Sequence, residues 1–227
     1  MTARLLALSI DAHDPAVVGA FWAGVLGRPL SADGTTVLPG DPPDLALRFV
    51  PSDAHRVGPN WIHLHLTSST PEDQERIVAR CLDLGAGHLD VGKRPEEGHV
   101  VLADPEGNEF CVIEPGNRFL AGCGFLGELA CDGTREVGLF WSEALTWPLN
   151  WDQDGETSIQ SPTGGTKISW GGPPVAPKAG RNLRLELEAD DAEAERLISL
   201  GATRLGDVLY ADPDGNEFRL VAPLGRR

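Results

Sequence analysis

A seven-residue stretch occurs twice in the chain, as Asp104-Pro105-Glu106-Gly107-Asn108-Glu109-Phe110 and as Asp212-Pro213-Asp214-Gly215-Asn216-Glu217-Phe218. Each copy lies between two short apolar runs, which are the flanking strands that a hairpin requires. Proline presets the first turn position, and Gly-Asn tolerates a positive φ angle. The repeated stretch therefore predicts a tight turn between two strands, and it needs no catalytic role to explain it.

Two further landmarks repeat in the same order upstream of each turn. Leu84-Gly85-Ala86 corresponds to Leu200-Gly201-Ala202, and Phe21-Trp22 corresponds to Phe140-Trp141. Self-similarity at a fixed spacing indicates a duplicated structural unit. The sequence therefore predicts an N-terminal domain over residues 1–117, a linker over 118–123 and a C-terminal domain over 124–227.

Each half in turn has the pattern of two βαβββ modules. Amphipathic segments with helix-start and helix-stop residues predict helices over residues 15–26, 71–84, 135–145 and 191–200. A short apolar strand precedes each helix, near residues 5–10, 61–67, 125–131 and 182–188. The turn signals after each helix predict the remaining strands.

Composition and charge exclude several classes of function. The chain has 227 residues, of which 41% are hydrophobic and 23% charged, as is ordinary for globular proteins. Its formal net charge of −15 opposes nucleic-acid backbones and anionic lipid surfaces, so we expect neither nucleic acid nor a membrane as a partner. Four irregularly spaced cysteines and the absence of a signal-peptide pattern favour a cytoplasmic protein with reduced thiols.

The ordered landmarks resemble the vicinal oxygen chelate superfamily, which includes glyoxalase I, extradiol dioxygenases and bleomycin-resistance proteins. The resemblance is strongest to its glyoxalase-like domain branch, where the turn continues as in Phe110-Cys111-Val112. It implies an α+β fold of four βαβββ modules, paired into two cup-shaped mixed sheets with helices on the outer faces. It implies no single reaction, because one fold supports many.

The resemblance also implies where a metal ligand would stand in each module: a histidine on the first strand and a carboxylate on the last. In the first module these positions fall at about Ala7 and near Arg48. In the second module they are His63 and Cys111, and in the third only Glu128 is available. In the fourth module both are cationic, Arg184 and Arg219. We therefore expect no metal in the second half, where Arg184, Glu186 and Arg219 either form a structural ion-pair cluster or bind an anion.

All six histidines lie in the first half, so imidazole chemistry is expected there. His63 and His65 are two residues apart on a strand and therefore share a face. The predicted pocket is lined by Ser9, Asp11, Arg48, His63, His65, His99 and Cys111.

Two residues of this pocket leave alternatives open. Cys111 is either a buried small side chain or a nucleophile activated by a neighbouring histidine or arginine. Arg48 either reaches solvent or needs an anionic partner such as Asp11 or a ligand carboxylate. His63, His65 and Cys111 are the candidate catalytic groups.

Three functions remain open from the sequence. The leading hypothesis is a metal-independent protein, monomeric or homodimeric, that binds a small organic molecule in the N-terminal half. It either sequesters this molecule or acts on it by acid–base chemistry. The second is a metal-dependent lyase, isomerase or dioxygenase that uses Zn, Ni, Fe or Mn, with His63 and His65 as ligands. The third is a noncatalytic scaffold. Aromatic side chains near a cup mouth, among Trp61, Trp147, Trp151 and Trp170, could stack on a planar ligand.

Overall fold

The computed structural model describes residues 2–41, 43–55, 57–92, 97–171 and 183–223. Within them the chain forms four helices and fifteen strands. In chain order these are β1 (Arg4–Ala12), α1 (Pro15–Leu26), β2 (Thr36–Val37), β3 (Ala46–Pro51), β4 (Ile62–Leu66), α2 (Pro71–Asp83), β5 (Gly87–His88), β6 (Val100–Ala103), β7 (Glu109–Val112), β8 (Leu126–Asp132), α3 (Arg135–Leu145), β9 (Leu149–Gln153), β10 (Glu156–Ser161), β11 (Gly164–Gly171), β12 (Leu183–Glu188), α4 (Asp191–Ser199), β13 (Thr203–Arg204), β14 (Leu209–Ala211) and β15 (Glu217–Val221).

Helix boundaries follow the local capping chemistry that the sequence shows. Asp14 accepts a hydrogen bond from the amide of Val17, and α1 ends at Gly27, which has a φ of 65°. Thr70 likewise accepts from the amide of Asp73 at the start of α2. Capping side chains and a left-handed glycine satisfy the amides and carbonyls that a helix end leaves free. The four predicted helices are confirmed to within one residue. Residue 182, the predicted first residue of the fourth leading strand, lies outside the described residues.

The elements fall into four successive modules, and the predicted α+β architecture is confirmed. Module 1 contains β1, α1, β2 and β3; module 2 contains β4, α2 and β5 to β7; module 3 contains β8, α3 and β9 to β11; module 4 contains β12, α4 and β13 to β15. Module 1 has one strand fewer than the predicted βαβββ pattern. Where that strand was expected, the chain forms only an isolated bridge between Leu30 and Val37.

The modules pair across the two halves of the chain. A seven-stranded sheet has the order β13-β14-β15-β12-β1-β3-β2, which joins module 4 to module 1. An eight-stranded sheet has the order β5-β6-β7-β4-β8-β11-β10-β9, which joins module 2 to module 3. The expectation that the N-terminal half encloses its own pocket is therefore wrong: each cup contains strands of both halves. The sequence-based domain boundaries at residues 117 and 124 stay a prediction.

The two repeated motifs contact each other within each half. The indole Nε1 of Trp22 donates to Asp104 at 3.0 Å, and that of Trp141 donates to Asp212 at 3.0 Å. The carboxylate of Glu106 also accepts from the amide of Asp14, at the start of α1. The Phe-Trp motif and the Asp-Pro turn thus form a helix–turn contact that is made twice. It binds module 1 to module 2, and module 3 to module 4.

A single cluster of buried apolar residues includes side chains of both sheets and of all four helices. Trp22 and Trp141 are almost fully buried in it, as expected from their positions. Among the described residues, no helix is long and apolar enough to cross a lipid bilayer.

Candidate functional site

The concave face of the eight-stranded sheet carries a row of polar residues in register. Cys111 of β7 is paired with His65 of β4, His65 with Glu128 of β8, and Glu128 with Lys167 of β11. Cross-strand partners project from the same face of a sheet. The face therefore presents a sulfur, an imidazole, a carboxylate and an ammonium group side by side.

A cavity of about 370 Å³ lies over this face, which is within the usual range for small-molecule sites. It is lined by His63, His65, Phe119, Glu128, Ala130, Cys131, Asp132, Trp151, Glu156, Thr157, Ser169, Trp170 and Gly171. Two of these residues come from module 2, and the linker contributes one; the others belong to module 3. The site is thus formed mainly by the second half of the chain.

His65 is held by partners on its neighbouring strands. Its Nδ1 lies 2.7 Å from Glu128 Oε2, and Ser169 Oγ donates to Glu128 Oε1 at 2.5 Å. Burial alone would lower the pKa of His65, but interactions with Cys111 and Glu128 on the neighbouring strands raise it from 6.5 to about 10. At neutral pH His65 is therefore an imidazolium ion paired with a buried carboxylate.

His63 has the opposite character although it lies two residues away. Burial lowers its pKa, against the smaller opposing effects of Glu109 and Asp132. A backbone hydrogen bond to Asn60 also favours the protonated ring, which identifies His63 as the donor to that carbonyl. Its Nε2 is buried and has no hydrogen-bond partner in the described part of the chain. His63 is therefore neutral at pH 7, and Nε2 is a free acceptor.

Aromatic side chains form the opposite wall of the cavity. Trp151 is 37% exposed and contacts Phe119 edge-to-face, with ring centroids 5.8 Å apart. Lys167 donates to the carbonyl of Phe119 and lies 4.7 Å from the centroid of its ring. Of the four tryptophans considered from the sequence, Trp151 presents its ring at the mouth. Trp170 also borders the cavity, but its ring stacks on Trp141, 6.4 Å away, on the helix side of the sheet.

Three of the predicted pocket residues, Ser9, Asp11 and Arg48, lie in the seven-stranded sheet. Ser9 donates to the carbonyl of Arg184 at 3.2 Å, and Arg184 pairs with Asp11 at 3.0 Å and with Glu217 at 2.7 Å. Arg48 pairs with Glu186 at 2.7 Å. Ser9, Asp11 and Arg48 therefore lie on a different sheet from His63 and His65, which line the cavity. The physical reason is the crossed pairing, that is, the pairing of modules from different halves of the chain, which places β1 next to β12 and not next to β4. Cys111 is on the same sheet as the two histidines but is not among the residues that line the cavity.

These contacts also define the charged cluster of the C-terminal half. Arg184 and Glu186 form ion pairs with residues of β1, β3 and β15, so the cluster includes residues of both halves. Arg219 lies beside Glu186 in the β12–β15 register. Its Nε is buried without a hydrogen-bond partner among the described residues. His99 precedes β6 of the eight-stranded sheet and is not among the residues that line its cavity.

The residues of the eight-stranded cup do not fit a divalent cation. Within the described ranges, no three His, Cys, Asp or Glu side chains form a group that could hold a metal ion. A metal would have to displace the proton of His65, because only the neutral ring is a ligand. Both oxygens of Glu128 already have partners, and Lys167 adds a positive charge to the same row. We derive no chemistry through a metal at this site.

Sequence reasoning missed Ser169, Phe119 and the two carboxylates Asp132 and Glu156. Trp151 was one of four tryptophans considered, without a predicted position. Glu128 was considered, but its register was uncertain. A signal for Ser169 did exist: in Lys167-Ile168-Ser169-Trp170, polar and apolar residues alternate, so Lys167 and Ser169 share the concave face. No sequence pattern predicted the position of Trp151 or of the linker residue Phe119, because that position depends on the curvature of the sheet in module 3.

Two mixed sheets, built from four βαβ-type modules with a polar cavity over one of them, define a tandem α+β architecture. The chain belongs to the glyoxalase-like domain family, whose sequence profile matches residues 7–113 and again residues 128–221. No curated protein sequence matches it.

Two solved structures share this fold over nearly the whole chain at low sequence identity. Glyoxalase I from Zea mays is 13% identical with a TM-score of 0.66, over 97% of this chain and 92% of that chain. A proposed dioxygenase from Bacillus subtilis is 14% identical with a TM-score of 0.58, over 99% of this chain and 86% of the other. A glyoxalase/bleomycin resistance protein/dioxygenase family enzyme from Burkholderia phytofirmans is 18% identical over 48% of this chain and 96% of its own, with a TM-score of 0.40.

Proposed function

We propose that the eight-stranded cup binds a small planar organic molecule without the help of a metal ion. The observation that carries the proposal is the pairing of an aromatic wall with an unsatisfied buried acceptor. Trp151 and Phe119 offer ring surface, and His63 Nε2 lacks a hydrogen-bond partner among the described residues. A buried polar atom without a partner costs about 1–3 kcal/mol, and a ligand that donates a hydrogen bond would remove that cost.

The charges around the cavity indicate which ligands it favours. Three carboxylates line it, those of Glu128, Asp132 and Glu156, and they face one imidazolium, that of His65. This surplus of negative charge repels anions and attracts cations at short range. The expected ligand is therefore neutral or cationic, with a donor group positioned for His63 and a ring that stacks on Trp151.

The alternatives from the sequence have less support. A metal-dependent lyase, isomerase or dioxygenase needs a ligand set that the described residues of the cup do not provide. A scaffold without a ligand gives no reason for a polar cavity of this size. Acid–base chemistry remains compatible with binding, because a neutral His63 and a protonated His65 line the same cavity.

A thermal-shift screen tests the proposal. The panel contains planar heteroaromatic compounds, each in matched cationic, neutral and anionic versions. At 100 times the dissociation constant a ligand adds about 2.7 kcal/mol, which corresponds to about 5–10 °C for a chain of this size. We expect shifts from cationic and neutral members and none from their anionic analogues.

Matched variants locate the binding site. His63→Ala and Trp151→Ala should abolish the shift, whereas His88→Ala, an exposed histidine on β5 outside the cavity, should retain it. If no compound shifts the wild-type protein, the scaffold hypothesis is favoured. If a shift survives in both cup variants, the assigned cavity is wrong.

A further inference from the structure

A second cavity adjoins the cavity of the eight-stranded cup and has the opposite charge. Its volume is about 470 Å³, and it is lined by Arg118, Phe119, Asn150, Trp151 and Lys167. Phe119 and Trp151 also line the cavity of the cup, so the two cavities are neighbours. The described lining of the second cavity contains two cations and no carboxylate, although the formal net charge of the chain is −15. We call this space the basic cavity.

Lys167 is a buried cation without a carboxylate partner. It is only 9% exposed. Its Nζ donates to the carbonyl of Phe119, and it forms no ion pair within the described part of the chain. Glu128, its cross-strand neighbour, already has His65 and Ser169 as partners. An ammonium group has three N–H donors, and burial of its charge is unfavourable unless an anion lies close. The basic cavity can therefore accept an anion from outside the chain.

Arg118 adds a second positive charge to the basic cavity. It lies in the linker, is exposed, and has no ion-pair partner among the described residues. A guanidinium group binds two oxygens of a carboxylate or phosphate at once, whereas an ammonium group binds as a point charge. Arg118 and Lys167 together are therefore suited to hold an oxyanion between the surface and the aromatic pair.

We propose that the ligand of the cup is dipolar, with a planar cationic or neutral ring in the cup and a tethered oxyanion held by Arg118 and Lys167. This inference rests on the proposed function and adds the second end of the ligand. A negative charge on the ring itself would lie among Glu128, Asp132 and Glu156, which repel it. An acid at the end of a tether avoids these carboxylates and reaches the two cations.

The sheet register sets the length of such a ligand. His65, Glu128 and Lys167 are cross-strand partners on β4, β8 and β11. Two strand spacings, about 10 Å, therefore separate the backbone of His65 from that of Lys167. Because Phe119 and Trp151 line both cavities, the middle of the ligand passes this aromatic pair. The expected ligand class is a flat ring system with a side chain that ends in an acidic group.

Matched acid and amide ligands test the basic cavity in the full-length protein. The probes are benzamidine and phenylguanidine, each with an alkyl tether that ends in a carboxylate or in the isosteric carboxamide, and the tether length is varied. Isothermal titration calorimetry measures their affinities. We expect the best carboxylate to bind about tenfold more tightly than its amide, the effect of one charge-assisted hydrogen bond. This advantage should shrink at high salt, because Arg118 is exposed.

Variants assign the advantage of the acid to the two cations. Arg118→Gln and Lys167→Met should each remove most of it and leave the affinity of the amide unchanged. Arg118→Gln alters an exposed side chain, so its result does not depend on how well the buried position of Lys167 tolerates a substitution. Arg76→Gln is the matched control, because it removes an arginine with a 74% exposed side chain that lines neither cavity.

The outcomes separate this inference from the proposed function. If the wild-type protein binds acid and amide equally well, the anion site is wrong and ring binding in the cup still stands. The same conclusion follows if the advantage of the acid survives in both Arg118→Gln and Lys167→Met, or if Arg76→Gln removes it equally. If neither member of any pair binds, the proposed function fails and the dipolar ligand fails with it.

Discussion

At the scale of single residues, the opposite behaviour of His63 and His65 shows how strongly neighbours decide side-chain chemistry. Both lie on β4 and line one cavity. Burial lowers the pKa of His63, whereas Glu128 and Cys111 overcome the same effect at His65. The difference between the two pKa values is caused by residues of β7 and β8, which are distant from β4 in the sequence.

The pairing of His65 with Glu128 predicts how stability depends on pH. The folded-state pKa of His65, about 10, exceeds its ordinary value of 6.5. Between those values the folded protein keeps a proton that the unfolded chain has released, so stability falls as the pH rises. The contribution is complete below pH 6.5 and is lost as the pH passes 10. Urea unfolding at pH 6.5, 8 and 10 measures it.

Glu128→Gln isolates this contribution. We expect it to lower the free energy of unfolding by about 1.5–3 kcal/mol at pH 6.5, the value of a hydrogen bond to a charged group. The difference from wild type should shrink towards pH 10, where His65 is losing its charge. Glu156→Gln, which removes an exposed carboxylate of the same cavity, is the control and should be close to neutral. A pH-independent difference would contradict the ion pair.

The sequence identified His63 and His65 as residues of one site, but it did not show which other residues lie beside them. Alternation on β4 correctly placed His63 and His65 on one face, since a strand has a period of two residues. Ser9, Asp11 and Arg48 were grouped with them because the two modules were assumed to pair within one half. Pairing between distant strands depends on which edges meet, and the local pattern of each strand is compatible with several partners.

At the scale of elements, the duplicated helix–turn contact explains why two motifs repeat together. Phe21-Trp22 and Asp104 are about 80 residues apart, yet the indole donates to the carboxylate, and Trp22 also packs on Phe110 with ring centroids 5.0 Å apart. The sequence predicted α1 and the turn separately because capping and turn residues act locally. Their contact was not predictable from either pattern alone.

Trp22→Phe tests the energetic weight of this contact. The substitution keeps an aromatic ring but removes the indole N–H, so the buried carboxylate of Asp104 loses one donor. We expect a loss of about 2–4 kcal/mol of unfolding free energy, from the unpaired acceptor and the smaller ring. Trp147→Phe is the matched control, because Trp147 is only partly buried at the core. Equal losses in the two variants would show that the Trp22–Asp104 bond contributes nothing beyond packing.

At the scale of the whole molecule, the chain is joined in two different ways. Helix–turn contacts hold modules 1 and 2 together, and likewise modules 3 and 4, whereas the sheets join module 1 to 4 and module 2 to 3. The duplication was visible in the sequence because it leaves repeated residues. The crossed sheet pairing leaves no such mark, although it decides which side chains share a cavity.

This crossed pairing makes a prediction for the separated halves, residues 1–117 and 118–227. Separation removes one of the two strand partners of β1 and of β4, namely β12 and β8, whose ladders lie in the middle of the two sheets. Buried residues of these ladders, Leu8 and Leu64 among them, would become exposed together with unpaired strand edges. We expect neither half to unfold cooperatively as a monomer, and a mixture of both to form a folded 1:1 complex. Circular dichroism and size-exclusion chromatography with light scattering measure these outcomes.

Specific contacts across the halves favour the mixed complex over two copies of one half. Arg48 of the first half pairs with Glu186 of the second, and His65 with Glu128, while an assembly of identical halves would lose both ion pairs. Charge reversal provides the control: Glu186→Arg in the second fragment should weaken assembly, and Arg48→Glu in the first should partly restore it. A folded, monomeric N-terminal half would instead show that the sequence-based boundary at residue 117 delimits an independent domain, and that the crossed sheets are not what holds the halves together.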